Sequence, residues 1–229
     1  MYSLLPSLLS ADSQKLINQI QILEDAGVDG FHIDMMDAMY VSRSAFSLAE
    51  VYAVRRATKL PLDIHVMTLE PERVAQKVVN FDVQVVSLHY EACNNIVKAL
   101  KDIRACGTKA GVVLKPETPI EVLDDEILSI ASVVQLMSVP PGAQEKQIFY
   151  EETLDRIKET KTRISAIGCD AIVQVDGDIN HKNVCSVIEA GADSLVVGSA
   201  LFCGDLVENV KAIKRLIKST STELKQWVI

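Results

Sequence analysis

The feature that most constrains this chain is a change of apolar period that recurs eight times. Short β-branched runs read as buried strands at Ser3–Leu9, Gly30–Asp37, Leu62–Thr68, Val83–His89, Lys109–Leu114, Ser132–Val139, Ala171–Asp176 and Ser194–Val197. Longer amphipathic stretches between them read as helices, among them DSQKLINQIQILEDAG, SLAEVYAVRRATK, ERVAQKVVNF, NNIVKALKDIRACG and NHKNVCSVIEAG. Gly27, Gly107, Gly168 and Gly191 suit left-handed helix stops, and Asp12, Ser47, Asn94 and Asn180 are candidate N-caps. Strands alternating with helices imply parallel pairing through crossover connections. Eight units in 229 residues leave about 29 residues for each. Near-equal units and the lack of a GxGxxG after the first strand predict one closed (β/α)₈ barrel over residues 1–229, not an open doubly wound sheet.

Composition narrows what such a barrel can serve. A 48% hydrophobic, 24% charged chain can bury a sizeable core. With 23 Lys and Arg against 31 Asp and Glu, the net charge of -8 argues against a broad nucleic-acid surface but leaves room for a local anion site. Cys93, Cys106, Cys169, Cys185 and Cys203 include no CxxC pair and read as free thiols in a reducing compartment. The opening MYSLLPSLLSADSQ lacks a basic n-region and is broken by Pro6 and Asp12, so it does not read as a secretory signal. No apolar run approaches a membrane span. The expectation is a cytoplasmic protein without a membrane partner.

Chemistry in a (β/α)₈ barrel gathers at the C-terminal strand ends. Those ends carry Ser7 and Ser10, then His32, Asp34 and Asp37, then Asp63 and His65, then His89 and Glu91, and finally Asp176, Gly198 and Ser199. His32 and Asp34, two apart on one strand, share a face, and His65 can join them from the next strand. Two histidines and one or two aspartates form a plausible site for one divalent ion, with zinc, iron(II), manganese or cobalt all suitable. The plainer alternative is a set of satisfied polar residues capping the barrel. Asp34 and Asp176 fall on opposite sides of the mouth, where two carboxylates can take a proton from one face of a substrate and return one to the other. Asp176 can equally be a turn residue in the run DGD. Gly198-Ser199 and Asp176-Gly177 fit a phosphate position at backbone N–H groups. Met36, Met67 and Met137 share one height near the strand ends, although such methionines are commonly core.

The motifs PSLLSAD, HIDMMD, LDIHVM, SLHYEA, GVVLKPETPIE, LMSVPPG, VDGD and AGADSLVVGSALF, in that order along the whole chain, resemble the successive signatures of the ribulose-phosphate 3-epimerase family. The resemblance implies a (β/α)₈ barrel that interconverts D-ribulose 5-phosphate and D-xylulose 5-phosphate with a divalent metal. It implies His32, Asp34, His65 and Asp176 as metal ligands, with Asp34 and Asp176 also the acid–base pair. Ser7 matches a substrate-contacting serine, and His65 also falls in the substrate set. Met36, Met67 and Met137 match methionines flanking an enediolate, and Gly142, Gly177, Gly198 and Ser199 match phosphate-binding loops. A homo-oligomer is also implied.

The chain departs from the family pattern at the mouth. Asp37 is followed by AMYVSR where HFVPN is usual, and PPGAQEKQ replaces PGFGGQ. Asp178 stands at the second glycine of DGG, and Lys115 stands where Asn is usual. A carboxylate near a phosphate costs Coulomb energy, on the order of 1 kcal/mol, which Lys146 could partly offset. These changes keep a second substrate in view, another ketose phosphate such as allulose 6-phosphate. A catalytically inactive binding barrel and a hexulose-phosphate synthase are further alternatives. All four ligand positions are retained, which argues against an inactive barrel, and His32 with His65 favours an epimerase over a synthase.

Overall fold

Alternation along each strand separates two environments, and this organises the structure, a computed structural model that describes residues 2–142 and 147–226. Phe31, Ile33 and Met35 of one strand and Leu62, Ile64 and Val66 of the next belong to the main apolar cluster beneath the helices. Their alternating partners, His32, Asp34 and Met36 with Asp63, His65 and Met67, turn into the barrel. The helices supply the other wall of that cluster through residues such as Ile20, Val54, Leu100 and Ile213.

The strands are β1 (Ser3–Pro6), β2 (Phe31–Asp37), β3 (Ser44–Ala45), β4 (Leu62–Met67), β5 (Val85–His89), β6 (Lys109–Leu114), β7 (Val133–Met137), β8 (Ile172–Asp176) and β9 (Ser194–Val197). The helices are α1 (Leu16–Asp25), α2 (Leu48–Ala57), α3 (Pro71–Val78), α4 (Ile96–Ala105), α5 (Asp125–Ile130), α6 (Thr153–Ile167), α7 (Val184–Glu189), α8 (Ser199–Phe202) and α9 (Leu206–Gln226). Eight strands run parallel in the order β1-β9-β8-β7-β6-β5-β4-β2. A parallel bridge between Ser7 and His32, and the bond from Asp29 N to Leu4 O, join β1 to β2 and close the barrel. The expected (β/α)₈ architecture is therefore present.

Several boundaries differ from the sequence reading. β1 stops at Pro6 and residues Leu8–Ser10 form a 3₁₀ turn; Pro6 has no N–H for the ladder. The two-residue β3 is an addition, an antiparallel return in which Met36 pairs with Ala45 and Asp37 with Ser44. Of the four candidate N-caps, Ser47 caps α2 with a full capping box to Glu50. Asn95, not Asn94, caps α4 by accepting from Lys98 N. Asp12 and Asn180 instead accept from the N–H two residues on, Gln14 and Lys182, so the same acceptor chemistry makes turns ahead of α1 and α7. Gly27, Gly107, Gly168 and Gly191 all have positive φ just after helices, as expected. The segment from Ser219 onward continues α9 as far as Gln226. Trp227–Ile229 and Lys146 lie outside the described residues.

All five cysteines are free. Among the described residues no helix is long and apolar enough to cross a membrane.

The Ser47–Glu50 box supplies an independent check on the fold. Ser47→Ala should lower stability by about 1 kcal/mol, read as a shifted urea midpoint with an unchanged slope.

Candidate functional site

The register of β2 against β4 sets Asp34 beside His65 and His32 beside Asp63. On the other side of the barrel, β7 pairs Met137 with Asp176. Asp34, Met137 and Asp176 line a cavity of about 1100 Å³ at the C-terminal strand ends, and His32, Asp63 and His65 lie beneath it. His32, Asp34, His65 and Asp176 each offer one ligand atom, all within 4.8 Å of one another. Asp34 Oδ1 lies 3.4 Å from His32 Nε2 and 3.3 Å from His65 Nδ1. Asp176 Oδ2 lies 3.7 Å and 3.4 Å from the same two nitrogens.

Both imidazoles are fully buried. His32 Nδ1 meets Asp63 Oδ2 at 2.8 Å, while His32 Nε2, buried and facing the two carboxylates, makes no hydrogen bond. A buried ring nitrogen left without a bond, aimed at two carboxylates and a second imidazole, fits a divalent ion. The carboxylate behind it is the usual device for orienting a ligating histidine. The donor set of two nitrogens and two oxygens suits zinc, iron(II), manganese or cobalt.

The cluster perturbs its own ionisation. Burial disfavours the His32 imidazolium, but the Asp34 and Asp63 carboxylates outweigh it and raise this histidine well above its ordinary value. His65 is raised in the same way, burial being outweighed by Asp176 and Asp34. Burial would raise Asp34, yet His32 and His65 hold it far below the usual carboxylate range. Ser7 Oγ donates to Asp34 Oδ2 at 2.7 Å, which also favours the ionised form. Beside the cluster, burial pushes His89 down to about 4 against the opposing pull of Glu91.

Below these residues the barrel interior is polar. Asp63 Oδ2 also accepts from Gln174 Nε2 at 2.6 Å. Gln174 reaches Gln135, whose amide donates to Asp176 Oδ2, and Ser194 donates to Gln174 Oε1. Neither Gln135 nor Gln174 stands out in the sequence, where each is a single polar residue in an apolar run. Only the strand register shows that both face inward.

Every expected substrate-facing residue except His65 lines the cavity: Ser7, Met36, Met67, Met137, Gly142, Gly177, Gly198 and Ser199. His65 lies just beneath, reaching it through the cluster. Two of the glycines are required by contact. A Cβ on Gly177 (φ +124) would sit 2.6 Å from Val139 Cγ2, and one on Gly142 (φ +66) would sit 2.5 Å from Val41 Cβ. The second contact ties the loop after β2 to the loop after β7 across the mouth, where Ser42 also bonds Gly142 O. Asp37 braces the same loop by accepting from Met39, Tyr40 and Leu69 N–H groups. The unusual Lys115 places its ammonium 4.5 Å from the Tyr40 ring, so two of the departures from the family pattern touch each other.

Asp178 adopts a left-handed backbone (φ +47) and aims its carboxylate at Phe149 N, 3.4 Å away, on the stretch leading into α6. The helix that follows β9, α8, has only four residues, too short for a substantial macrodipole.

Comparison with known proteins now decides the family. The model of the ribulose-phosphate 3 epimerase family matches residues 3–202. The chain belongs to the ribulose-phosphate 3-epimerase family. The ribulose-phosphate 3-epimerase of Bacillus subtilis is 39% identical over 203 residues, covering 88% of this chain and 93% of that one. The chloroplastic ribulose-5-phosphate-3-epimerase of Arabidopsis thaliana is 37% identical over 212 residues, covering 91% and 75%. Among solved structures, a mutant tryptophan synthase alpha-subunit from Pyrococcus furiosus superposes with a TM-score of 0.68 at 20% identity, covering 95% of this chain and 100% of that one. That likeness shows the shared barrel alone. The family is one of isomerases, and this chain is an enzyme of the carbohydrate epimerase kind.

The raised histidines set a stability trend for chelator-treated protein. Their folded-state values lie above the ordinary 6.5. The stabilisation from charged His32 and His65 is therefore complete below about pH 6.5 and is lost as pH rises through the folded-state values. Thermal midpoints measured in EDTA should fall over that upper range. In a His32→Asn, His65→Asn double variant the fall should flatten.

Proposed function

We propose that this chain is a metal-dependent 3-epimerase that interconverts D-ribulose 5-phosphate and D-xylulose 5-phosphate. One observation carries the reading: Asp34 and Asp176 approach the same two imidazole nitrogens from two sides at the floor of the cavity. His32, Asp34, His65 and Asp176 would hold the ion. When bound, it supplies Lewis-acid polarisation of the ketone and stabilises negative charge on the substrate oxygens.

The chain's own residues move the proton. One aspartate enters as carboxylate and takes the proton from carbon 3, leaving an enediolate. The other enters protonated and delivers its proton to the opposite face of carbon 3. The two have then exchanged roles, and turnover in the reverse direction restores them. Ser7 Oγ holds Asp34 by its second oxygen, so that Oδ1 faces the cluster. Met36, Met67 and Met137 line the cavity beside the carboxylates and offer no acidic proton, which keeps competing donors from the enediolate. The phosphate would lie against backbone at Gly177, Gly198 and Ser199, with Gly142 across the mouth.

Asp34→Asn and Asp176→Asn should each reduce turnover by at least the 10²–10⁴-fold typical of a general acid or base. Elemental analysis of the same samples separates proton transfer from metal loss. His65→Ala should lower bound metal from about one ion per chain. Full metal retention in that variant, or near-normal turnover in either Asn variant, would overturn the scheme.

Asp178 supports a second reading, a ketose phosphate of different length. It lines the cavity beside His181 and Lys182, where the family pattern has glycine. If the pentulose phosphate is the substrate, Asp178→Gly should lower its KM with a smaller effect on kcat, because the phosphate end is remote from carbon 3. If Asp178 selects another ketose phosphate, the same change should raise KM for that sugar. Steady-state kinetics on ketopentose and ketohexose phosphates distinguishes the two.

A further inference from the structure

His89 and Glu91 end β5 and take no part in the scheme above, yet they stand directly behind His65. His65 Nε2 lies 2.9 Å from His89 Nε2, and His89 Nδ1 lies 3.1 Å from Glu91 Oε2. Both histidine rings are fully buried, so a chain of three side chains leads from the cluster toward the β6–α5 loop. We infer that Glu91 and His89 are positioning residues that fix the tautomer of His65, holding its proton on Nε2 and leaving Nδ1 as a lone pair facing Asp34 and Asp176. The inference rests on the metal reading of the cluster, since a neutral imidazole binds an ion only through an unprotonated nitrogen.

The direction of the chain follows from which groups can only accept. Glu91 Oε1 takes Lys115 N at 2.9 Å and the Thr118 hydroxyl, so its other oxygen is the one that meets His89. A carboxylate there accepts, which puts the His89 proton on Nδ1 and leaves His89 Nε2 as an acceptor. His65 Nε2 must then donate. The loop that anchors Glu91 is itself held, because the Arg156 guanidinium on α6 donates to the carbonyls of Lys115, Pro116 and Thr118. The Tyr40 ring packs against His89 with centroids 5.3 Å apart.

A separate chain from the opposite side of the barrel is compatible with the same tautomer. Asp63 can only accept, so the Gln174 amino group faces it, and the same group donates to Gln135 Oε1. The Gln135 amino group is thereby turned toward Asp176 Oδ2 and His65 Nδ1, 3.2 Å and 3.1 Å away. That amino group can donate to Nδ1 when the ring carries its lone pair there, the tautomer that the Glu91–His89 chain assigns.

Glu91→Gln tests the relay with almost no change of shape. Lys115 N–H cannot become an acceptor, so the new amino group must face His89. That forces His89 Nδ1 to accept, moves its proton to Nε2, and drives the His65 proton onto Nδ1, the nitrogen the ion needs. Zinc is the probe, read by competition with a chromophoric chelator. The variant should bind zinc 10–100-fold more weakly than wild type, while the zinc-free protein keeps its far-UV circular dichroism and a cooperative thermal transition. Long-range ¹⁵N–¹H spectra of the zinc-loaded wild type should show the proton on Nε2 of His65 and on Nδ1 of His89. A folded Glu91→Gln protein with wild-type zinc affinity would overturn the inference, as would a wild-type His89 proton on Nε2. If the variant does not fold, the wild-type spectrum alone decides. A wild-type protein that binds no zinc would fail differently, removing the metal reading and this inference with it.

Discussion

Two carboxylates at the floor of one cavity and two imidazoles just beneath them form one cluster, and burying them is tolerable only because the barrel interior around them is polar. An unpaired charge in that position would be strongly unfavourable. Here Asp63, Gln135, Gln174 and Ser194 form a hydrogen-bonded layer where a barrel of this type ordinarily packs branched aliphatics. The layer orients His32 from below through Asp63, and the His89–Glu91 pair stands behind His65. The apolar contribution to folding is displaced outward, to the shell between strands and helices, where Leu4, Phe31, Ile64 and Val112 are fully buried. One alternation of side chains along the strands therefore serves both needs, stability on one face and chemistry on the other.

Much of this was legible in the residues because period two and period 3.6 leave different marks. The eight strands and the shared face of His32 and Asp34 follow from spacing alone. The partners Gln135 and Gln174 do not, because a lone glutamine in an apolar run gives no sign of which face it takes until the register is known. The candidate caps Asp12 and Asn180 show the complementary limit. Asx turns and N-caps use the same acceptor, and the tertiary path of the chain chooses between them. The short return strand β3 follows from the way Asp37 gathers three backbone N–H groups and bends the loop back over the mouth, a consequence of placement that no local pattern announces.

The departures from the family pattern cluster at the mouth and leave the floor unchanged. Tyr40 and Lys115 pack together, Val41 fills the space that Gly142 leaves, and Asp178 turns toward the loop after β7. Each of these contacts joins two segments at the C-terminal side of the barrel, so substitutions that look independent along the chain touch one another in the fold. Under the proposed function these contacts bear on sugar and phosphate recognition, while Asp34 and Asp176 stay with the strands.

The most direct measurement of the central claim is turnover of D-ribulose 5-phosphate in deuterium oxide, with metal-loaded protein and the product examined by mass and NMR. Exchange of protons between two aspartates and solvent predicts D-xylulose 5-phosphate carrying one deuterium, at carbon 3. Product formed without label, or labelled only at carbon 1, would contradict a two-carboxylate epimerisation at this site.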